Sequence, residues 1–229
     1  MEFFENIKNS FYLTFIHENR WKIFVDGLWM TLLLTLTSFV LGTLIGVLLC
    51  RLKMTKIKWL KRITDIVSAF FIQIPTMVLL MLFVYVVFGS SSLPVVGIVI
   101  IGLTIKAGCY MSDIFYTSAS IVNKGEIEAA RTLGMTRMQT FLNVVLPQTV
   151  KNVLPVYKNQ FVSTLQETSV VGYIAIVDLT RASEIVSSRT FDALFALLIV
   201  TIIYILIGWI FKLLIGLIGR KKHLGDEKK

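Results

Sequence analysis

Residues 27–50 read GLWMTLLLTLTSFVLGTLIGVLLC, 24 positions without one charged side chain. A helix rises 1.5 Å per residue, so about 20 apolar residues cross the hydrocarbon core of a bilayer. This stretch is long enough, and the rest of the chain agrees with it. The 229 residues are 55% hydrophobic and only 16% charged, with a mean hydropathy of +0.77. A water-soluble domain carries about 25% charged residues to solvate its surface. The apolar load, with 4 Pro and 14 Gly, also excludes a disordered or collagen-like chain. The formal charge is +9, but Lys and Arg lie between apolar runs and form no single basic face. That pattern argues against nucleic-acid binding. Cys50 and Cys109 sit apart inside apolar segments, and His17 and His223 are distant from each other. Neither a disulfide framework nor a metal site is expected. The sequence describes an all-α integral membrane protein.

Working outward, residues 66–105 are also free of charge but too long for one crossing. The turn-forming run Gly89-Ser90-Ser91-Ser92-Leu93-Pro94 divides them, predicting spans near 66–88 and 94–116. A fourth, less apolar span is expected near 153–177, and a fifth at 193–211. Residues 1–22 carry Glu2, Glu5 and Glu18 without a continuous apolar core; they read as an amphipathic leading helix, not a signal peptide. The expected divisions are therefore 1–22, a transmembrane domain at 23–218, and a basic tail at 219–229.

Basic residues orient the spans. The connection at 51–65 holds Arg51, Lys53, Lys56, Lys58, Lys61 and Arg62 against one acid, whereas 89–93 has no charge. Residues 123–151 hold Lys124, Arg131, Arg137 and Lys151, the tail holds Arg220, Lys221, Lys222, Lys228 and Lys229, and the connection at 178–192 is mixed. Five spans, with the N-terminus outside and the C-terminus in the cytoplasm, keep the basic segments on one side. Asp178, Arg181 and Glu184 then fall in a solvated external connection. Trp59 between Lys58 and Lys61 suits an interfacial anchor, and Tyr85, Tyr204 and Trp209 suit packing or interface roles. Gly42 and Gly46 form a small-xxx-small pair for close helix packing within the chain.

The segment from Glu126 to Gly134, EIEAARTLG, is too charged to span. Good helix formers followed by Gly134 predict a short helix ending in a left-handed turn, and a second stretch, 136–145, is expected to end at Pro147. Ala129 and Ala130 leave a low surface that another protein could approach. A plain cytoplasmic hairpin reads equally well from the pattern.

Glu128-Ala129-Ala130, three residues, Gly134, nine residues, then Val144-Val145-Leu146-Pro147 resembles the EAA signature of ABC-importer permeases, with Val144 in place of the usual Ile. Lys124-Gly125, Gln148, Leu154-Pro155, Asn159 and Glu167-Thr168-Ser169-Val170 are similar to the polar-amino-acid branch. Tyr110 and Asp113 fit that branch, whereas Tyr116 stands where Arg is usual. The resemblance covers roughly residues 20–218 and implies a type I ABC importer permease fold. It also implies that Glu126, Glu128, Ala129, Ala130, Arg131 and Gly134 form a coupling helix seated in a separate ATPase subunit. Two such ATPases, a second copy or homologous permease, an extracytoplasmic solute-binding protein and lipid would be its partners in a bacterial cell membrane. No glycine loop for phosphate is present in the chain, so no cofactor is expected here; ATP and Mg would sit on the partner. The cargo implied is a polar amino acid or similar zwitterion.

Ionisable groups inside spans are costly, so each needs a partner or a task. Lys106, Tyr110 and Asp113 recur at i, i+4 and i+7, and Gln160, Ser163, Thr164 and Glu167 form a polar stripe with Phe161, Val162 and Leu165 facing elsewhere. One reading makes these the substrate pathway; the other pairs Lys106 with Glu167 as glue between helices. An ion channel, a self-contained carrier or a membrane enzyme using Asp113 or Glu167 remain as alternatives, without the repeats or constellations those classes usually show.

Overall fold

The computed structural model describes residues 2–226, with only the backbone described for residues 2–4, 6, 7 and 218–226. Lys228 and Lys229 of the expected tail lie outside the described residues. All regular structure among the described residues is helical. The succession is α1 (Glu2–Phe11), α2 (Trp21–Lys53), α3 (Lys58–Gln73), α4 (Thr76–Met81), α5 (Val95–Ser120), α6 (Lys124–Thr132), α7 (Arg137–Thr140), α8 (Leu146–Glu167), α9 (Leu179–Thr190) and α10 (Ala193–Asp226). Wider π turns follow α1, α4 and α7, and a 3-10 segment, Thr168–Ile174, follows α8.

Among the described residues three helices are long and apolar enough to cross a membrane: Trp21–Lys53, Val95–Ser120 and Ala193–Leu217; a fourth crossing results if Lys58–Gln73 and Thr76–Val87 count as one broken span. The expected continuous helix at 66–88 is therefore two pieces. Ile74 (ψ 126°) and Pro75 (ψ 135°) are extended, because the proline ring disfavours the helical conformation of the residue before it. The charge-free run concealed this break. The expected fourth span at 153–177 falls on α8, which starts at Leu146 and ends at Glu167 and is not among the helices apolar enough to cross a membrane. Pro147 does not end a helix: it lies in the first turn of α8, where its missing N–H is tolerated, after a π turn at Phe141–Val145.

The chain divides into two compact units, each discontinuous in sequence. One gathers residues 1–38, 75–103 and 162–213. Leu34, Leu80, Val99, Leu103, Val171 and Ile174 form one apolar cluster in it, and Phe24, Leu179, Ala182, Val186, Ala196 and Val200 form another. The other unit gathers residues 39–74, 104–161 and 214–229. There α2 and α5 approach closely through glycines. A Cβ on Gly42 would lie 2.8 Å from the Ala107 Cβ, one on Gly46 would strike the Met111 Cβ, and one on Gly108 would lie 2.7 Å from Ile45. The small-xxx-small pair thus serves packing inside the chain, as expected. Phe39, Phe115, Tyr157 and Phe161 form an aromatic cluster in the same unit. Several threonine hydroxyls within α2 are satisfied locally: Thr35 donates to Thr31 O at 2.7 Å and Thr43 to Phe39 O at 2.7 Å, the usual solution where water is absent.

Candidate functional site

The connection around α6 is built from local rules. The Asn123 side chain accepts from Gly125 N at 2.9 Å and caps the helix, satisfying one of the free amides of its first turn. At the other end Gly134 N donates to Arg131 O at 3.1 Å and Met135 N to Ala130 O at 3.2 Å. This paired closure is the Schellman motif, which needs a left-handed residue, and Gly134 supplies it with φ +87°. Arg131 donates to Met135 O at 2.6 Å and braces the same turn. Beyond it Thr136 and Gln139 cap each other reciprocally at the start of α7. Glu126 accepts from the Gln148 side chain, tying α6 to α8.

Of the residues assigned to this connection by resemblance, Glu126, Glu128, Ala129, Arg131 and Gly134 are exposed. Ala130 is the exception. It is only 6% exposed and packs inward, so the low surface reduces to Ala129. In compensation the structure presents apolar residues the sequence reading passed over: Leu133 is 82% exposed and Met138 65%. The signal was available, because Ile127 and Ala130 already supply the inward side of α6 and leave Leu133 without an internal place.

The buried polar residues fall into local arrangements. Lys106 is 4% exposed, and its Nζ donates to Ile74 O at 2.8 Å. That carbonyl was released by the break before Pro75, and the C-terminal end of α3 attracts a cation. Tyr110 lies one turn on, half-buried. Asp113 accepts from Lys53, which also lies 3.6 Å from Asp65. Lys53 was read as part of a basic loop, yet α2 continues through it, and i+3 from buried Cys50 turns it inward. Lys61 donates to the Tyr116 hydroxyl at 2.6 Å, so the position where the family usually has Arg makes a polar tie to α3. Along α8, Gln160 and Thr164 are buried and Glu167 is half-buried, whereas Ser163 is exposed on another face. Phe161 and Leu165, expected to face elsewhere, are buried too.

The connection at α9 differs from its expected solvated state. Asp178 is fully buried and caps α9, accepting from Thr180 N at 3.1 Å and Arg181 N at 3.0 Å. The Tyr204 hydroxyl donates to it at 3.3 Å. Burial pushes the Asp178 carboxyl above its ordinary value, against the opposing effect of the backbone amides of Arg181 and Thr180. Arg181 and Glu184 do pair at the surface, at 2.6 Å.

Residues 38–223 match the family described as binding-protein-dependent transport system inner membrane component. The chain belongs to this family. Similar proteins include the L-cystine transport system permease protein TcyB of Bacillus subtilis, 27% identical over 93% of this chain and 89% of that protein. A putative glutamine transport system permease protein GlnP of Rickettsia conorii is 27% identical over 87% of this chain and 94% of its own length. The solved structure of an amino acid ABC transporter with histidines superposes with a TM-score of 0.78, at 32% identity over 87% of this chain and 94% of that one. An inward-facing MetNI methionine ABC transporter shares the fold, with a TM-score of 0.71 at 22% identity. The all-α, type I ABC importer permease fold expected from the sequence is thus the observed one. The chain is a non-catalytic, multi-pass permease subunit, and membership of this family favours it over a self-contained channel or carrier.

Proposed function

We propose that this permease carries a polar amino acid or similar zwitterion inward, driven by ATP hydrolysed on two separate subunits that hold ATP and Mg. α6 is the coupling helix, with Glu126, Glu128, Ala129, Arg131 and Gly134 at the docking surface and Ala130 holding the helix to its own unit. A second copy or a homologous permease completes the pore, and an extracytoplasmic binding protein delivers the solute. The chain crosses the bacterial cell membrane five times, with its N-terminus outside and its C-terminus in the cytoplasm. Lys106, Tyr110 and Asp113 on α5, and Gln160, Ser163, Thr164 and Glu167 on α8, belong to the solute pathway. The names of the relatives support the substrate class.

The observation that carries the coupling assignment is Leu133, a large apolar side chain 82% exposed at the end of a helix closed by its own hydrogen bonds. A helix finished internally needs no further partner to fold, so an apolar side chain left outside is free for another surface. Burying a Leu contributes about 2 kcal/mol, which is roughly a thirtyfold change in affinity. Placing a carboxylate there adds a desolvation penalty to that loss.

The test is co-isolation of the tagged chain with its co-expressed ATPase, together with ATP-dependent uptake of radiolabelled amino acids in vesicles. Leu133→Asp and Gly134→Asp should lose most of the bound ATPase and of the uptake, while membrane insertion stays normal. Wild-type recovery of ATPase and wild-type uptake by both variants would refute the coupling role of α6.

A further inference from the structure

An apolar cavity of 330 Å³ lies wholly within the unit of residues 39–74, 104–161 and 214–229, between α2, α5 and the start of α8. Val47 and Met54 on α2, Phe115 on α5, and Phe141, Leu146 and Val153 around the start of α8 are among its walls. Two hydroxyls belong to its lining residues, and both are already used. Thr149 donates to Val145 O at 2.8 Å. Thr43 gives its proton to Phe39 O, so the Tyr157 hydroxyl donates to Thr43 at 3.1 Å. A polar solute entering here would lose its water and gain no partner in exchange. The cavity suits hydrocarbon and not a zwitterion.

Its depth is set by α2. The charge-free run of that helix ends at Cys50, also a lining residue, and Arg51 follows. Val47 lies about 6 Å before Arg51 along the axis, on the hydrocarbon side of that border, and Met54 about 5 Å beyond it. Leu44 and Leu48, exposed beside this face of α2, are apolar as contact with lipid tails requires. The cavity is thus placed where acyl chains meet headgroups.

The charge beside it is positive. Arg51 is i+4 from Val47 and i−3 from Met54, on the same face of α2, and is exposed. Of the six cations between 51 and 62, Lys53 and Lys61 turn inward to Asp113 and the Tyr116 hydroxyl. The one acid of this connection, Asp65, lies 3.6 Å from Lys53. Arg51, Lys56, Lys58 and Arg62 remain exposed. We propose that the cavity takes one acyl chain of an anionic phospholipid, with its phosphate drawn to Arg51 and the exposed cations behind it. Surface cations alone attract any anionic lipid without fixing it, and an apolar hollow alone accepts any chain without choosing its headgroup. Their meeting at one border makes a selective site. The proposal needs only that the chain spans a membrane, so it stands or falls apart from the cargo and from ATPase coupling.

The test uses the full chain with its co-expressed ATPase in vesicles of equimolar phosphatidylcholine and phosphatidylglycerol, one of the two carrying a photoactivatable diazirine in its acyl chain. On illumination, labelled phosphatidylglycerol should mark the peptides holding Val47 to Met54 and Leu146 to Tyr157 at least about fivefold more than labelled phosphatidylcholine does, the preference one juxtamembrane cation supplies. The two lipids should mark the exposed face of α10 equally. Arg51→Gln should remove about fivefold of the phosphatidylglycerol label. Val150→Trp, which fills the cavity from an exposed lining position, should lower it at least about tenfold, the contribution of about two buried methylenes. Co-isolation of the ATPase shows that a variant has folded; should Val150→Trp fail to fold, the wild-type map and Arg51→Gln decide alone. Equal marking of the cavity by both lipids, or no excess there over α10, would overturn the proposal. A cavity marked by neither lipid is closed to the bilayer, as it would be beneath a second copy or the ATPase, and overturns it equally.

Discussion

α6 and α9 are both short, polar helices in connections, each started by an Asx cap, yet one is mostly exposed and the other is built into its unit. Asn123 is exposed, and Gly134 at the far end of α6 would meet nothing within 4 Å if it gained a Cβ. Asp178 is fully buried, and a Cβ on Gly27 would lie 2.7 Å from its carbonyl oxygen and 3.0 Å from the Ala182 Cβ. The difference is not one of composition. The inner side of α9 offers Leu179, Ala182 and Val186, all fully buried against α2 and α10, whereas α6 offers only Ile127 and Ala130. A connection with a wide apolar side closes its own unit; one with a narrow apolar side leaves a leucine exposed.

The strongest way to break this contrast is at the two glycines. Gly27→Val forces side-chain atoms into the backbone at Asp178, and overpacking of this kind costs about 1–3 kcal/mol or more. For a chain of this size that is a fall of roughly 3–10 °C in thermal midpoint. Gly134→Ala meets no atom and carries only a left-handed backbone penalty of about 1 kcal/mol, confined to a turn outside the clusters. Thermal unfolding of both variants in detergent should show a large shift for the first and a small one for the second. Equal shifts would remove the distinction between the two connections.

These two helices also mark how far the sequence could be read. The crossings at α2, α5 and α10 were legible because charge-free length is a constraint the bilayer imposes on every residue in turn. Gly134 was legible because a helix end is decided within a few residues. What was missed depends on partners distant in sequence. Lys53 reads as one cation among six until α2 runs one turn further and brings it to Asp113 and Asp65. Asp178 reads as a surface acid until Tyr204 and α2 enclose it. Ala130, expected on the open surface, packs inward beside the half-buried Ile127, and Leu133, which the reading passed over, is left outside. The break before Pro75 was visible in principle, but the turn at 89–94 already divided the long apolar run.

The buried cap of α9 should also titrate. The folded-state pKa of Asp178 is raised by burial, so the folded chain holds this proton more tightly than the unfolded one. Stability from this group is fully present below the unfolded value of about 3.9 and is lost as pH rises towards the raised folded value. Asp178→Asn retains an oxygen to accept from Thr180 N or Arg181 N but does not ionise. A plot of thermal midpoint against pH should therefore fall less steeply for Asp178→Asn than for the wild type across that window. Parallel curves would mean that the carboxylate is solvated and that α9 is as open as α6.

The smallest effect separates the two caps most cleanly. Asn123→Ala removes the acceptor for Gly125 N, and losing such a cap costs about 0.5–2 kcal/mol, with exposed caps at the low end. Because α6 folds on its own hydrogen bonds and contributes little to either apolar cluster, that cost should appear as local opening rather than as a shift of the whole unfolding transition. Amide exchange is the measurement that sees it: the first-turn amides of α6 should exchange about two- to fivefold faster, with the thermal midpoint unchanged within error. Asp178→Ala, cutting the corresponding cap in α9, should lower the midpoint instead, because its loss also leaves the Tyr204 hydroxyl without this acceptor inside the apolar cluster. If Asn123→Ala moved the midpoint as far as Asp178→Ala does, α6 would be part of the folding unit, and its exposed leucine would no longer mark a surface held in reserve for another polypeptide.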